Sequence, residues 1–126
     1  PSSLTAAVAP AAGWGKSWSR SHGDSTNARY FETASITRGN VSQLVKAWEY
    51  RSGDGPENIQ CAPIVVDDLL VAPTSGKHVV GIDAATGVER WRFAPEGRPA
   101  HRGLVYWPGA GQHAPRIFFP AGPFIY

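Results

Sequence analysis

Residues 81–91 read G-I-D-A-A-T-G-V-E-R-W. An apolar run ends at Asp83, a turn follows, and an alternating run, V-E-R-W-R-F (88–93), leaves it. Asp accepts hydrogen bonds from its own downstream backbone, and Gly supplies a positive φ at little cost, so 83–87 predicts a tight hairpin turn. Strict alternation beyond it predicts Val88, Arg90 and Arg92 on one face and Glu89, Trp91 and Phe93 on the other. The spacing also sets Trp91 at a fixed distance from the turn. A flat ring there can slide between neighbouring sheets, with its N–H reaching a backbone carbonyl across the gap. The stretch predicts a hairpin that carries a fastener built from Asp83, Thr86, Gly87 and Trp91.

Working outward, short apolar runs alternate with turns on both sides. They are L-V-K-A-W-E-Y-R (44–51), I-Q-C-A-P-I-V-V (59–66), L-L-V-A-P-T (69–74), H-V-V-G-I-D (78–83), R-G-L-V-Y-W (102–107), R-I-F-F-P-A-G (116–122) and F-I-Y (124–126). Asp67 and Asp68 read as a hairpin turn. Runs this short, punctuated by 14 Gly and 11 Pro, predict an all-β chain. Only T-R-G-N-V-S-Q-L (37–44) predicts a helical turn, capped by Thr37 or Asn40. The runs from 59 to 93 predict one four-stranded antiparallel sheet. The run at 69 then recurs at 117, and the run at 79 recurs at 125, an offset of roughly 46 to 48 residues. Four-stranded units repeating at about 40–50 residues are blades of a β-propeller. The chain thus predicts about one and a half blades, blade one at 57–95 and part of blade two at 96–126. Residues 18–56 form a lead-in segment with a strand that belongs to a closing blade, and 1–17 a flexible tail.

Composition narrows the function. Apolar residues at 42% and charged residues at 17% fit a globular protein. A net charge of +2 without a Lys/Arg cluster argues against nucleic acid. No apolar run is long enough to span a membrane as a helix, and the N-terminus has no intact signal peptide. The one cysteine, Cys61, sits in an apolar run and reads as a small buried hydrophobe rather than a reactive thiol. His22, His78 and His113 are scattered without metal-ligand spacing.

The stretch 81–91 resembles the tryptophan docking motif of the pyrroloquinoline quinone (PQQ) dehydrogenases, A-x-D-x-x-T-G-x-x-x-W. Asp83, Thr86, Gly87 and Trp91 match, and Gly81 replaces the usual Ala, one small residue for another. W-S-R-S-H-G-D-S-T-N-A-R-Y (18–30), N-V-S-Q-L-V-K-A-W-E-Y-R-S-G (40–53), I-Q-C-A-P-I-V-V-D (59–67) and R-G-L-V-Y-W (102–107) resemble further family segments, in order and at the right spacing.

The resemblance implies an exported, periplasmic quinoprotein that oxidises an alcohol or sugar, with PQQ and Ca²⁺ at the propeller centre. Arg102 matches an arginine that approaches the quinone oxygens, and a permanently charged fork suits an anionic tricarboxylate. Gln60 falls where many members place a cofactor-touching Glu; it keeps the hydrogen bonds and loses the charge. His101, just upstream of Arg102, either lies over the quinone or is a solvated loop residue. The Ca²⁺ ligands and the catalytic aspartate come later in the family's order, so the resemblance implies a segment inactive by itself. Two rivals stay open. One is a non-enzymatic propeller scaffold that keeps the fastener and loses cofactor contacts. The other is a small β binding module that self-associates through open strand edges.

Overall fold

The computed structural model describes residues 18–23, 25–31, 33–55 and 59–126. The expected tail at 1–17 lies outside these residues, as do 56–58, where the first blade was expected to begin.

The strands expected between 59 and 93 form as one sheet. β1 (Ile64–Val66), β2 (Leu69–Pro73), β3 (Val79–Asp83) and β4 (Glu89–Phe93) pair antiparallel with their sequence neighbours, in the order β1-β2-β3-β4. The β1–β2 connection is the two-residue turn of Asp67 and Asp68, with Asp67 at φ 53°. A second set follows: β5 (Val105–Trp107) pairs with β6 (Arg116–Phe118), and β7 (Pro120–Ala121) with β8 (Phe124–Ile125). Phe119, between β6 and β7, exchanges two backbone hydrogen bonds with Tyr126, so 116–121 is one run facing 124–126. The recurrence of the run at 69 near 117, and of the run at 79 near 125, therefore holds in the pairing.

The core lies between the two sets. Ile64, Val66, Val71 and Val79 pack with Leu104, Phe119 and Ala121, and Tyr126 packs against this cluster. Phe93 meets Phe119 and Tyr126 edge-on, while Phe119 and Tyr126 stack at 5.5 Å. Each fully buried Ile, Leu or Val contributes about 1.5–3 kcal/mol through burial, and the sheets share these residues because neither has a second apolar layer of its own. The inner strands are stitched by the lead-in segment: Trp18 C=O accepts from Val65 N–H (2.9 Å), and Ser19 C=O accepts from Tyr106 N–H (2.8 Å).

Two local expectations change. Strict alternation along 88–93 is broken by an irregularity in the β3–β4 register: Gly81 faces Trp91 and Ile82 faces Glu89, leaving Arg90 without a partner in the ladder. The extra residue puts Glu89 beside Arg92, which it holds through an ion pair, and leaves Trp91 with Phe93. Residues 44–55 carry no strand. Their links to the sheet are side-chain bonds at every second residue. Trp48 Nε1–H donates to Ala84 C=O, Tyr50 bonds Glu89, Arg92 donates to Ser52 C=O, and Asp54 bonds Thr74 and His78. A period of two is what an extended chain presents, here tied to the sheet through side chains. The expected helical turn is a single 3-10 turn at Val41–Gln43. Asn40 stands at its N-cap position, yet the Asn40 side chain turns back to Thr37 N–H and Ser35 C=O.

Candidate functional site

The strands alternate in direction, so the chain visits two ends of the first sheet in turn. At one end lie the turns at 67–68 and 83–87. At the other lie the approach to β1, the β2–β3 loop and the β4–β5 connection, which carry Gln60, residues 74–78 and His101 with Arg102.

The turn at 83–87 folds as its residues dictate. Asp83 Oδ1 accepts from the N–H groups of Ala85 (3.0 Å) and Thr86 (2.8 Å), and Gly87 takes φ +75° while donating to Asp83 C=O. Arg90 reaches both Asp68 and Asp83. The Arg90 hydrogen bond, then that from Thr86, holds the Asp83 carboxyl down at about 2. Trp91 meets Gly81, its partner across the β3–β4 pair. Its ring packs against Gly81, where a Cβ would come within 2.2 Å of the indole, so glycine at 81 admits the ring in a way that alanine would not without a shift. The ring that meets the turn is Trp48. It lies against Gly87, where a Cβ would come within 2.7 Å of it, and its N–H bonds Ala84 C=O at 3.1 Å. Trp48 was readable only as a Trp in an alternating run, the same setting as Trp91.

At the opposite end, the loop before β5 is tied to the approach of β1. His101 C=O accepts from Ala62 N–H at 2.9 Å, two residues beyond Gln60, and Arg102 C=O accepts from the Ser21 hydroxyl at 3.0 Å. Backbone bonds thus bring the Gln60 segment and the pair His101 and Arg102 side by side, although they are some forty residues apart in sequence. Gln60 and Arg102 are exposed, and His101 is half-buried. Cys61, next to Gln60, is half-buried, and burial pushes its thiol up, away from the reactive thiolate. The side chains carried here are the Arg102 guanidinium, the His101 imidazole and the Gln60 amide, with the Asp54 carboxylate at the same end of the sheet. This donor set fits an anionic, carbonyl-rich cofactor such as PQQ.

The sequence missed a second cluster at this end. Asp54, which lies between the apolar runs at 44–51 and 59–66, places Oδ2 against the Thr74 hydroxyl and 2.7 Å from His78 Nδ1. Burial alone would push the Asp54 carboxyl up. Hydrogen bonds from Thr74, His78 and Ser52 outweigh it and hold the group well below the usual carboxylate range. The other histidines lie apart: His22 meets Arg29, and His113 lies beside the Trp107 ring. Among the described residues, no three His, Cys, Asp or Glu side chains gather as a metal site, and no helix is long and apolar enough to cross a membrane.

Comparison with known proteins adds lineage. Residues 18–123 match the PQQ family, described as the glucose/ethanol/alcohol dehydrogenase β-propeller domain. The chain is 35% identical over 104 residues to methanol dehydrogenase [cytochrome c] subunit 1 of Methylorubrum extorquens, covering 71% of this chain and 16% of that protein. It is 35% identical over 75 residues to quinoprotein glucose dehydrogenase A of Acinetobacter calcoaceticus, covering 54% and 9%. To quinohemoprotein alcohol dehydrogenase ADH IIB of Pseudomonas putida it is 32% identical over 77 residues, covering 60% and 11%. The chain therefore spans less than a fifth of each of these relatives. No solved structure matches. With a family match over most of its length, and antiparallel sheets paired in blade order, this chain belongs to the PQQ β-propeller family of quinoprotein dehydrogenases.

Proposed function

We propose that the chain forms the front part of the cofactor wall in a PQQ-dependent dehydrogenase that oxidises an alcohol or a sugar. The observation that carries this reading is the bond from Ala62 N–H to His101 C=O, which sets Gln60 beside His101 and Arg102 at one end of two adjacent inner strands. Arg102 binds the anionic face of PQQ through its fork, Gln60 adds a neutral donor and acceptor, and His101 borders the ring. PQQ, when bound, supplies the two-electron acceptor for the substrate's hydride. Ca²⁺ and the base that takes the hydroxyl proton belong to blades outside this chain, so the segment does not turn over alone. Asp83, Thr86, Gly87 and Trp91 fasten neighbouring blades, with Trp48 making the equivalent contact on the turn. The sheet faces left open are covered by the other blades, and the protein is exported to the periplasm.

Titration of the full-length protein with PQQ tests this reading. Saturable binding is expected, and Arg102→Ala is expected to weaken it by about tenfold or more, the worth of one charge-assisted contact. A second reading, a propeller scaffold without cofactor, draws support from Gln60 standing in place of the family's Glu. A full-length protein that binds no PQQ would establish the scaffold and sink the enzyme.

A further inference from the structure

Arg102 is held on both sides of its Cα. Ala62 N–H donates to the carbonyl of His101, just before it, at 2.9 Å, and the Ser21 hydroxyl donates to the carbonyl of Arg102 itself at 3.0 Å. Each peptide unit is planar, so a residue has only two soft dihedrals, and these set how its two flanking planes lie to one another. A bond to each plane constrains both dihedrals of Arg102, and with them the direction in which its Cβ leaves the chain. The neighbouring residues are held as well. Ala100 N–H donates to Pro120 C=O at 2.9 Å, and a Cβ at Gly103 would come within 2.6 Å of the Pro120 ring, so the loop lies close on β7.

The two bonds that flank Arg102 differ in kind. The Ala62 bond runs from backbone to backbone, and any residue but proline at 62 can make it. The Ser21 bond comes from a side chain and joins residues 81 apart in sequence. A tight turn places Ser21 for it: Arg20 and Gly23 exchange backbone hydrogen bonds of 3.2 and 3.0 Å, with Gly23 at φ +103°. The start of the turn is fixed to β1 and β5, since Val65 N–H donates to Trp18 C=O and Tyr106 N–H to Ser19 C=O. Ser21, half-buried, thus stands on a backbone held by bonds that do not involve its side chain. Its hydroxyl runs from that support to the carbonyl that sets the aim of Arg102.

From this geometry we infer that Ser21 is a positioning residue of the cofactor wall: its hydroxyl holds the Arg102 peptide so that the guanidinium meets an anionic ligand already aimed. The inference rests on the PQQ reading above, in which Arg102 binds the anionic face of PQQ. Fixing the base of a long side chain removes backbone freedom that the ligand would otherwise have to order. Ser21 touches no ligand and acts through Arg102. A hydroxyl is the whole requirement, so Thr serves in its place and Ala does not.

The test is calorimetric titration of the full-length, cofactor-free protein with PQQ, for Ser21→Ala, Ser21→Thr, Arg102→Ala and the Ser21→Ala, Arg102→Ala double variant. Ser21→Ala is expected to weaken binding about threefold to tenfold, the worth of one neutral hydrogen bond, and Ser21→Thr to keep the wild-type value. Because Ser21 acts through Arg102, Ser21→Ala is expected to add no further loss in the Arg102→Ala background. A second readout needs no cofactor. Trypsin cuts between Arg102 and Gly103 only when the loop opens. The rate of that cut, set against the cut after Arg92 in β4, is expected to rise by about the same factor in Ser21→Ala. Unchanged PQQ affinity in Ser21→Ala, or an equal loss in both backgrounds, overturns the inference. A wild-type protein that binds no PQQ overturns the dehydrogenase reading instead. The cut then decides for Ser21: a faster rate keeps it as the residue that orders Arg102, and an unchanged rate removes it.

Discussion

The two ends of the first sheet are built from similar residues and put to opposite uses. At the turn end nearly every polar group has a partner inside the chain. Asp68 and Asp83 share Arg90, Ala84 N–H bonds Asp68 C=O, and Ala84 C=O receives the Trp48 indole. At the loop end the backbone is just as firmly held, by His101 to Ala62 and by Ser21 to Arg102, but side chains stand open: Arg102 and Gln60 are exposed. Closed polar networks hold a blade together. A rigid backbone with unspent side chains is what a binding surface requires.

The comparison breaks most visibly at Gly87. The residue sits at φ +75° against the Trp48 ring. Gly87→Ala is expected to cost roughly 2–4 kcal/mol, the sum of a left-handed backbone penalty and a displaced indole. Urea unfolding followed by tryptophan fluorescence checks it. A loss below about 0.5 kcal/mol, the scatter of neutral surface changes, would mean that the turn end is not where the stability resides.

A smaller effect follows from acid. The Asp83 pKa is lowered from 3.8 to about 2 in the folded chain, first by Arg90 and then by Thr86. A carboxylate with a depressed folded pKa contributes stability above its unfolded value and loses it as pH falls through the folded one. The unfolding midpoint is therefore expected to fall between about pH 4 and pH 2. Asp54, held low at the other end, adds to the same acid loss. Arg90→Ala raises the folded Asp83 value toward its ordinary one, so the acid slope should flatten in that variant. An unchanged slope would remove the Arg90 bridge from the account of the turn end.

How much of this was legible beforehand depends on range. The turn at 83–87, the four-strand order and the turn at Asp67 and Asp68 follow from contacts within a few residues, and the sequence displays them. The extra residue at Arg90 has no mark, because Arg fits a regular strand as well as an irregular one. Trp48 meets the turn 36 residues away, and Asp54 meets His78 24 residues away. Neither pairing is encoded in local spacing; both arise only when residues 44–55 lie along the sheet. The proximity of Gln60 to His101 and Arg102 was implied by the resemblance and is carried physically by one backbone bond from Ala62.

The smallest expected effect sharpens the comparison most. Arg102 has an exposed side chain, and its backbone carbonyl accepts from Ser21, a bond that any residue at 102 retains. Arg102→Ala should therefore change the unfolding free energy by no more than about 0.5 kcal/mol, the ordinary surface value. The same substitution is the one expected to cut PQQ affinity. Stability and ligand affinity measured on this single variant separate the two ends of the sheet. If stability is kept while affinity falls, the loop end is a surface reserved for a partner molecule. A stability loss comparable to that of Gly87→Ala would mean that Arg102 is structural, and that both ends of the sheet do the same work.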